Sequence, residues 1–222
     1  MKSVESKNPV VHAALLGGIA LVAAVFLIIG SAVTKLPIAE RKQEDLVRSL
    51  ATVIPTKLYD NELSEDFMMS TDRKGRTYKV YRARKGDLVV AVAFERFVNA
   101  YAKVHLIMGV DASGRILGVR VLDHQETPGL GDKIEEKKSP WIRSFDGLSL
   151  NNTPRASWGV KKDGGIFDQF SGATITPRAV VKSVREGLEF FRFRKAEFLS
   201  REPAKSPDKA SLSSNAMRGA AL

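Results

Sequence analysis

Four residues ahead of a predicted helix have the types and spacing to hold a phosphate group. Ser171-Gly172-Ala173-Thr174 comes just before Thr176-Pro177, which predicts a helix start because Thr is a favoured N-cap and Pro fits the first helical position. Free N–H groups and the positive dipole end of a helix attract anions, so a phosphate esterified to Thr174 would be stabilised there. Gly172 allows close backbone approach, and Ala173 leaves space. The same residues are also ordinary turn and capping chemistry, and by themselves they leave both interpretations open.

A glycine-rich loop, His124-Gln125-Glu126-Thr127-Pro128-Gly129-Leu130-Gly131, is the second candidate site. Glu126 and Asp132 flank its glycines and could form a cation-binding loop, and His124 could act as a general base. We favour a structural role over both, because a lone His at a strand end is more often structural. The sequence also has no Ser-His-Asp, zinc-spacing or Walker pattern around these residues.

Taken together, the two motifs resemble the FMN-binding domain family. Asp168-x-x-Ser-Gly-Ala-Thr-x-Thr-x-x-Ala-Val resembles the family's flavinylation site, in which the threonine corresponding to Thr174 receives FMN from a flavin transferase. The His124 to Gly131 stretch resembles the loop that lies against the isoalloxazine ring. The resemblance implies covalent FMN, no metal, and no catalytic side chain beyond the flavin. The implied cofactor-binding residues are Thr174, Ser171, Gly172, Ala173, Asp168, Thr176, Glu126, Thr127, Pro128, Gly129 and Leu130.

Within this family, the chain is most similar to the membrane-anchored subunits of Rnf ion-translocating electron transport complexes, and related subunits of the sodium-pumping NADH:quinone reductase share the motifs. The resemblance implies a redox subunit, not an independent enzyme, which relays electrons within a complex that couples electron transfer to ion translocation. Its partners would be the other membrane subunits of the Rnf complex and a flavin transferase. Two alternatives stay open: a membrane-anchored FMN-binding sensor without relay function, and a structural anchor. Asp168 could serve transferase recognition or an Asx-turn.

Composition narrows the chemistry that the chain itself can perform. With no cysteine among its 222 residues, the protein can hold no disulfide, thiolate zinc site, iron–sulfur cluster or thioether-linked cofactor. Redox chemistry would therefore need a borrowed cofactor. The net charge of +10 is spread along the chain among carboxylates, without a recognisable nucleic-acid module, so we expect no nucleic-acid partner.

Residues 10–33 predict a transmembrane helix, because the run carries no charged residue and is long enough to span a bilayer. A cleavable signal peptide is the competing interpretation, although the apolar run is longer than the usual core of such a peptide. Basic residues on both sides of the run leave its orientation undecided. The family resemblance implies a single-pass protein of the bacterial inner membrane with its domain on the periplasmic side.

The remaining pattern predicts an α+β fold: an N-terminal transmembrane helix, then a mainly antiparallel-sheet FMN-binding domain with a C-terminal helix. After a short segment at 1–9 and the helix at 10–33, residues 34–77 predict a stalk helix, stopped by Pro55, and a connection. Residues 78–200 are predicted to form the domain, and 201–222 a disordered tail. Four predicted strands, separated mainly by turn residues, are Tyr78 to Arg84, Leu88 to Phe97, Ala102 to Asp111 and Arg115 to Asp123. A short helix is predicted at 132–138, and a longer one from Thr176, with Val180, Val184, Leu188 and Phe191 on its apolar face.

Overall fold

The structure is a computed structural model that describes the backbone of residues 9–201 and the side chains of 10–28 and 44–201. The predicted tail, apart from Arg201, and the first eight residues lie outside this part of the chain. Contacts divide the chain into two compact units, Met1–Asp45 and Leu46–Leu222.

Helix α1, Pro9–Val53, is the first element and ends two residues before Pro55, as predicted. Its segment Val10–Ile28 is 19 residues long with a mean hydropathy of 2.5, and no other helix in the described part of the chain is long and apolar enough to cross a membrane. These properties are those of a membrane span, and a signal sequence near an N-terminus shares them.

The second unit contains one antiparallel sheet whose five strands lie in chain order. Each strand pairs with the next through a short connection, as expected for successive hairpins. The strands are β1 Phe67–Thr71, β2 Thr77–Lys85, β3 Leu88–Asn99, β4 Lys103–Asp111 and β5 Ile116–His124. Helix α2, Ile175–Phe198, follows, and the α+β class is confirmed.

Each face of the sheet has its own hydrophobic core. Helix α2 and the loops before it cover one face, where Val180, Val184, Leu188 and Phe191 are buried as the helical spacing predicts. The last turns of α1 cover part of the other face through Leu50 and Val53, together with Ile54. Alternation along the strands puts neighbouring residues on opposite faces, so both cores come from the same strands.

Two local predictions differ from the structure. Strand β1 is absent from the predicted strands, because Phe67-Met68-Met69-Ser70-Thr71 shows no clear apolar–polar alternation and is defined by its pairing with β2. The predicted helix at 132–138 is wrong, since only Gly131–Ile134 is helical, as a single 3₁₀ turn. Asp132 in this turn and Glu135 just after it pair with Lys138, and Glu135 also lies beside His124.

Candidate functional site

Helix α2 begins without a side-chain cap. Thr174 occupies the N-cap position with φ −67° and ψ −25°, and its hydroxyl makes no capping hydrogen bond. The prediction that Thr176 caps the helix is wrong, because Thr176 lies inside the first turn, fully buried. Its Oγ1 instead donates a 2.7 Å hydrogen bond to Oε2 of Glu126. Thr174 is partly exposed, and of the two hydroxyls its own is the one left unbonded within the described part of the chain.

The first turn of α2 offers backbone donors to an anion. The first backbone hydrogen bond across the helix start runs from the Arg178 N–H to the Thr174 carbonyl oxygen, at 3.3 Å. Within residues 9–201, the N–H groups of Ile175 and Thr176 have no hydrogen-bond acceptor, and Pro177 has no N–H to satisfy. Such unpaired donors at a helix N-terminus suit a phosphate.

The two sequence motifs lie against each other at Gly172. This glycine has φ +78°, a conformation that other residues adopt only with strain. A Cβ built on Gly172 would lie 3.3 Å from Cδ2 of Leu130, so the tetrapeptide and the glycine-rich loop are in close contact. The structure thus brings together residues that the sequence separates by some forty positions.

Glu126 lies inside the protein, not on the surface of the loop. The residue is 6% exposed. Its Oε1 accepts the Ala102 N–H at 2.9 Å, and its Oε2 accepts the Thr176 hydroxyl. The next four residues, Thr127, Pro128, Gly129 and Leu130, are exposed. The part of the loop that is free to contact a ligand is therefore 127–130.

A network of hydrogen bonds and ion pairs holds the residues next to the exposed segment 127–130. His124 accepts the Glu126 N–H on Nδ1 at 3.1 Å, and its Nε2 lies 2.8 Å from Oε1 of Glu135. Hydrogen bonds from Lys138 and His124 hold the pKa of Glu135 below its usual value. The Gly129 N–H and Lys138 do the same for the pKa of Asp132. With both ring nitrogens of His124 engaged and both carboxylate oxygens of Glu126 bonded to protein donors, the structure favours a supporting role for these two residues. Asp132 pairs with Lys138 through Oδ2 at 3.0 Å, whereas its buried Oδ1 has no partner among the described residues.

Asp168 is held through its main chain. Its carbonyl oxygen accepts a 2.8 Å hydrogen bond from Nε1 of Trp141, and its exposed carboxylate lies 2.6 Å from Nζ of Lys161. Trp141 also packs edge-on against Phe170, with ring centroids 5.1 Å apart. No Asx-turn hydrogen bond from the Asp168 side chain occurs among residues 9–201.

Trp141 itself was not predicted as a site residue. The sequence could have indicated only that this side chain needs a partner, since a buried Trp usually needs an acceptor for its indole N–H. The sequence does not show which acceptor that is.

The site is part of a known domain class. Residues 101–189 match the FMN-binding domain family, and this range contains both motifs. The chain is also similar in fold to the crystal structure of the C subunit of Na⁺-translocating NADH-quinone reductase from Parabacteroides distasonis. The TM-score is 0.51 at 18% sequence identity, over 71% of this chain and 96% of that one. The fold and the site therefore define an FMN-binding domain that follows an apolar N-terminal helix in the sequence.

Curated relatives identify the branch of that class. The chain is 48% identical over 200 residues to the G subunit of the ion-translocating oxidoreductase complex of Cereibacter sphaeroides, covering 90% of this chain and 91% of the relative. The G subunit from Stutzerimonas stutzeri is 47% identical over 79% of this chain and 77% of the relative. For the G subunit from Pseudomonas aeruginosa strain PAO1, the identity is 39% over 87% and 93%. The chain belongs to the family of G subunits of ion-translocating oxidoreductase complexes.

Proposed function

We propose that this protein carries FMN as a phosphoester on Thr174 and relays electrons within an ion-translocating membrane complex. The observation that carries the proposal is the contrast between two threonines. Thr174 is partly exposed and has an unbonded hydroxyl at an uncapped helix N-terminus, whereas the Thr176 hydroxyl is buried and bonded to Glu126. Attachment at Thr176 would require that bond to break and the side chain to leave the core.

The residues around Thr174 fit the phosphate end of FMN. The N–H groups of Ile175 and Thr176 are free to donate to phosphate oxygens, and the helix dipole favours the negative charge that a phosphodiester retains. Because Gly172 has no side chain, the tetrapeptide can lie close to Leu130 of the second motif.

The exposed segment Thr127–Leu130 is the part of the second motif that would lie against the ring. Unlike Glu126, these residues make no side-chain hydrogen bond to the described part of the chain. Bound FMN exchanges one or two electrons, so the chain needs to supply placement and electrostatics but no catalytic side chain.

The relay would operate at the periplasmic face of the bacterial inner membrane. The apolar segment Val10–Ile28 is long enough to be its single membrane span. The other membrane subunits of the Rnf complex would be the donor and acceptor partners, and a flavin transferase would load Thr174. Asp168 is exposed and close in sequence to the tetrapeptide, so that transferase could recognise its carboxylate. A covalent bond keeps the cofactor on a domain that lies outside the cytoplasm.

Intact mass and peptide mapping test the attachment. The full chain, produced with its flavin transferase, should gain the mass of FMN minus water, with the flavin on the peptide that contains Thr174. Thr174→Ala should abolish the gain, yet change the free energy of unfolding by only about 0.5 kcal/mol, because the hydroxyl makes no bond. Thr56→Ala is the matched control, since it changes another exposed threonine, outside both motifs, and should leave loading intact. Flavin mapped to Thr176 would reject the assignment.

Topology and relay need separate measurements. Protease added to intact spheroplasts should remove the domain, and full protection would place it in the cytoplasm instead. In the purified complex, the flavin on Thr174 should be reduced and reoxidised during turnover. A flavin that keeps its redox state during turnover would favour the sensor alternative.

A further inference from the structure

We propose that Glu126 and Thr176 form a buried positioning pair that fixes the exposed loop segment Thr127–Leu130 relative to Thr174. The pair would set how closely that segment packs on the flavin without itself touching the ring. This inference rests on the proposed attachment of FMN at Thr174. It assigns to Glu126 an indirect role, in place of the ring contact that the sequence motif implied.

The pair joins three segments of the chain. Glu126 belongs to the loop after β5, Thr176 to the first turn of α2, and Ala102 to the turn between β3 and β4. The hydroxyl of Thr176 donates to one carboxylate oxygen at 2.7 Å, and the Ala102 N–H donates to the other at 2.9 Å. Glu126 and Thr176 are 50 positions apart in sequence, and their bond is buried. Hydrogen bonds to a carboxylate are stronger than those between neutral groups, and burial removes the competition from water.

Both ends of this link lie next to groups that would meet the flavin. On α2, Thr176 is two residues from Thr174, within the same rigid start of the helix. On the loop, Glu126 directly precedes the exposed segment, and its own N–H is held by His124 at 3.1 Å. The Glu126–Thr176 bond is therefore close in sequence both to Thr174 and to the exposed segment 127–130. A shift of the Glu126 carboxylate would move that segment relative to Thr174.

The surroundings of Glu126 leave its carboxylate little freedom to move. A Cβ built on Gly131 would overlap Oε2 of Glu126, so the carboxylate fills the space that Gly131 leaves open. Loss of the Thr176 hydroxyl would leave one oxygen of a buried carboxylate without its donor. Because a buried unpaired acceptor is costly, we expect the loop to move until water reaches that oxygen.

Threonine variants of the full chain test the pair. Thr176→Val removes the hydroxyl at nearly constant volume, whereas Thr176→Ser keeps it. Ser183→Ala is the control for hydroxyl loss in α2, because the Ser183 hydroxyl is buried and makes no hydrogen bond within the described residues. Each variant is produced with the flavin transferase, and its covalent loading is measured by intact mass. The readouts are collisional quenching of the bound flavin by iodide, the flavin midpoint potential, and the unfolding temperature of the unloaded protein.

The expected result is a several-fold larger iodide quenching constant and a shifted midpoint for Thr176→Val, with flavin still on Thr174. Thr176→Ser and Ser183→Ala should behave like the parent. An unchanged quenching constant and midpoint potential in Thr176→Val would overturn the proposed pair. Equal changes in Thr176→Val and Thr176→Ser would overturn it too, because the serine keeps the hydroxyl. Absence of flavin from the parent Thr174 would instead reject the proposed function, so the two failures are distinguishable.

Glu126→Gln keeps the test decisive if the valine variant folds poorly. The amide keeps nearly the same shape but removes the charge that strengthens the bonds from Thr176 and Ala102. The iodide quenching constant and the flavin midpoint of Glu126→Gln should therefore also differ from the parent's, and both unchanged would overturn the proposal. If the two residues act as a pair, Glu126→Gln combined with Thr176→Val should change quenching no more than the larger single variant does. Additive effects would show that the two side chains act independently, and would contradict the proposal.

Discussion

The indole N–H of Trp141 donates a 2.8 Å hydrogen bond to the carbonyl oxygen of Asp168, the first residue of the proposed flavinylation motif. Trp158 makes a comparable bond, at 3.3 Å, to the carbonyl oxygen of Thr153, away from the motif. Both indole rings are buried in the same core. The two tryptophans therefore provide a matched pair in which only one bond fixes the motif.

We expect Trp141→Phe to slow flavin loading, because the Asp168 main chain loses its fixed donor. Trp158→Phe should load at the parent rate. Each variant should lose on the order of 1 kcal/mol of stability, since each leaves a carbonyl without its partner. Time courses of loading by intact mass, together with denaturant unfolding, measure both effects. Equal loading rates for the two variants would show that the Trp141 bond is structural only.

Gly129→Val should alter the flavin without preventing its attachment. Gly129 has φ +80° and open space around its Cβ position, so the effect of valine there is backbone strain and not a clash. Gly75 has φ +77° and equally open space in the turn between β1 and β2, which makes Gly75→Val the control. Each substitution should cost about 1–3 kcal/mol. Only Gly129→Val should shift the flavin midpoint potential. Identical midpoints for both variants and the parent would mean that the loop does not touch the ring.

Gly131→Ala should destabilise the protein more than Gly129→Ala does, although the positive φ belongs to Gly129. The added methyl at position 131 would overlap the Glu126 carboxylate, and overpacking of this kind costs about 1–3 kcal/mol. Combining Gly131→Ala with Glu126→Ala should therefore cost less than the sum of the two, because the second change removes the overlapping atoms. Unfolding midpoints in urea give the comparison, and strict additivity would contradict it.

The stability of the domain should fall in acid partly because of Glu95. Burial by itself would raise the pKa of this carboxyl, but the hydrogen bond and charge of His105, followed by the Tyr81 hydroxyl, lower it overall. The bond from His105 Nε2 is 3.0 Å long. A lowered pKa in the folded state stabilises the protein above the unfolded value of about 4.3, and this contribution is lost as pH falls.

Glu95→Gln should consequently flatten the loss of stability below about pH 4.3, since the amide does not titrate there. At neutral pH the same variant should be less stable than the parent. Free energies of unfolding measured across that range check both statements. A parent and variant with parallel pH profiles would show that Glu95 contributes nothing to the acid sensitivity.

Local pattern in the sequence predicted most of the fold, and the resemblance to the FMN-binding domain family supplied the candidate site residues. The four predicted strands occur with nearly the same bounds as in the structure, since turn residues and pairing in chain order make their geometry local. The apolar face of α2 follows from helical spacing alone. The placement of Ser171 to Thr174 beside a helix N-terminus needed only the residues that follow it. These features depend on neighbours within a few positions, which is what a sequence displays directly.

Only the tertiary structure decided which hydroxyl is free. In the sequence, Thr176 has the residue type and the position expected of a helix N-cap. In the fold, its side chain is bound by Glu126 across 50 positions, and Thr174 takes the N-cap position instead. The inward direction of Glu126 and the support of Asp168 by Trp141 also depend on partners from distant segments. A buried polar group must find a donor or acceptor wherever the packed chain supplies one. That choice is made in three dimensions, and no local pattern records it.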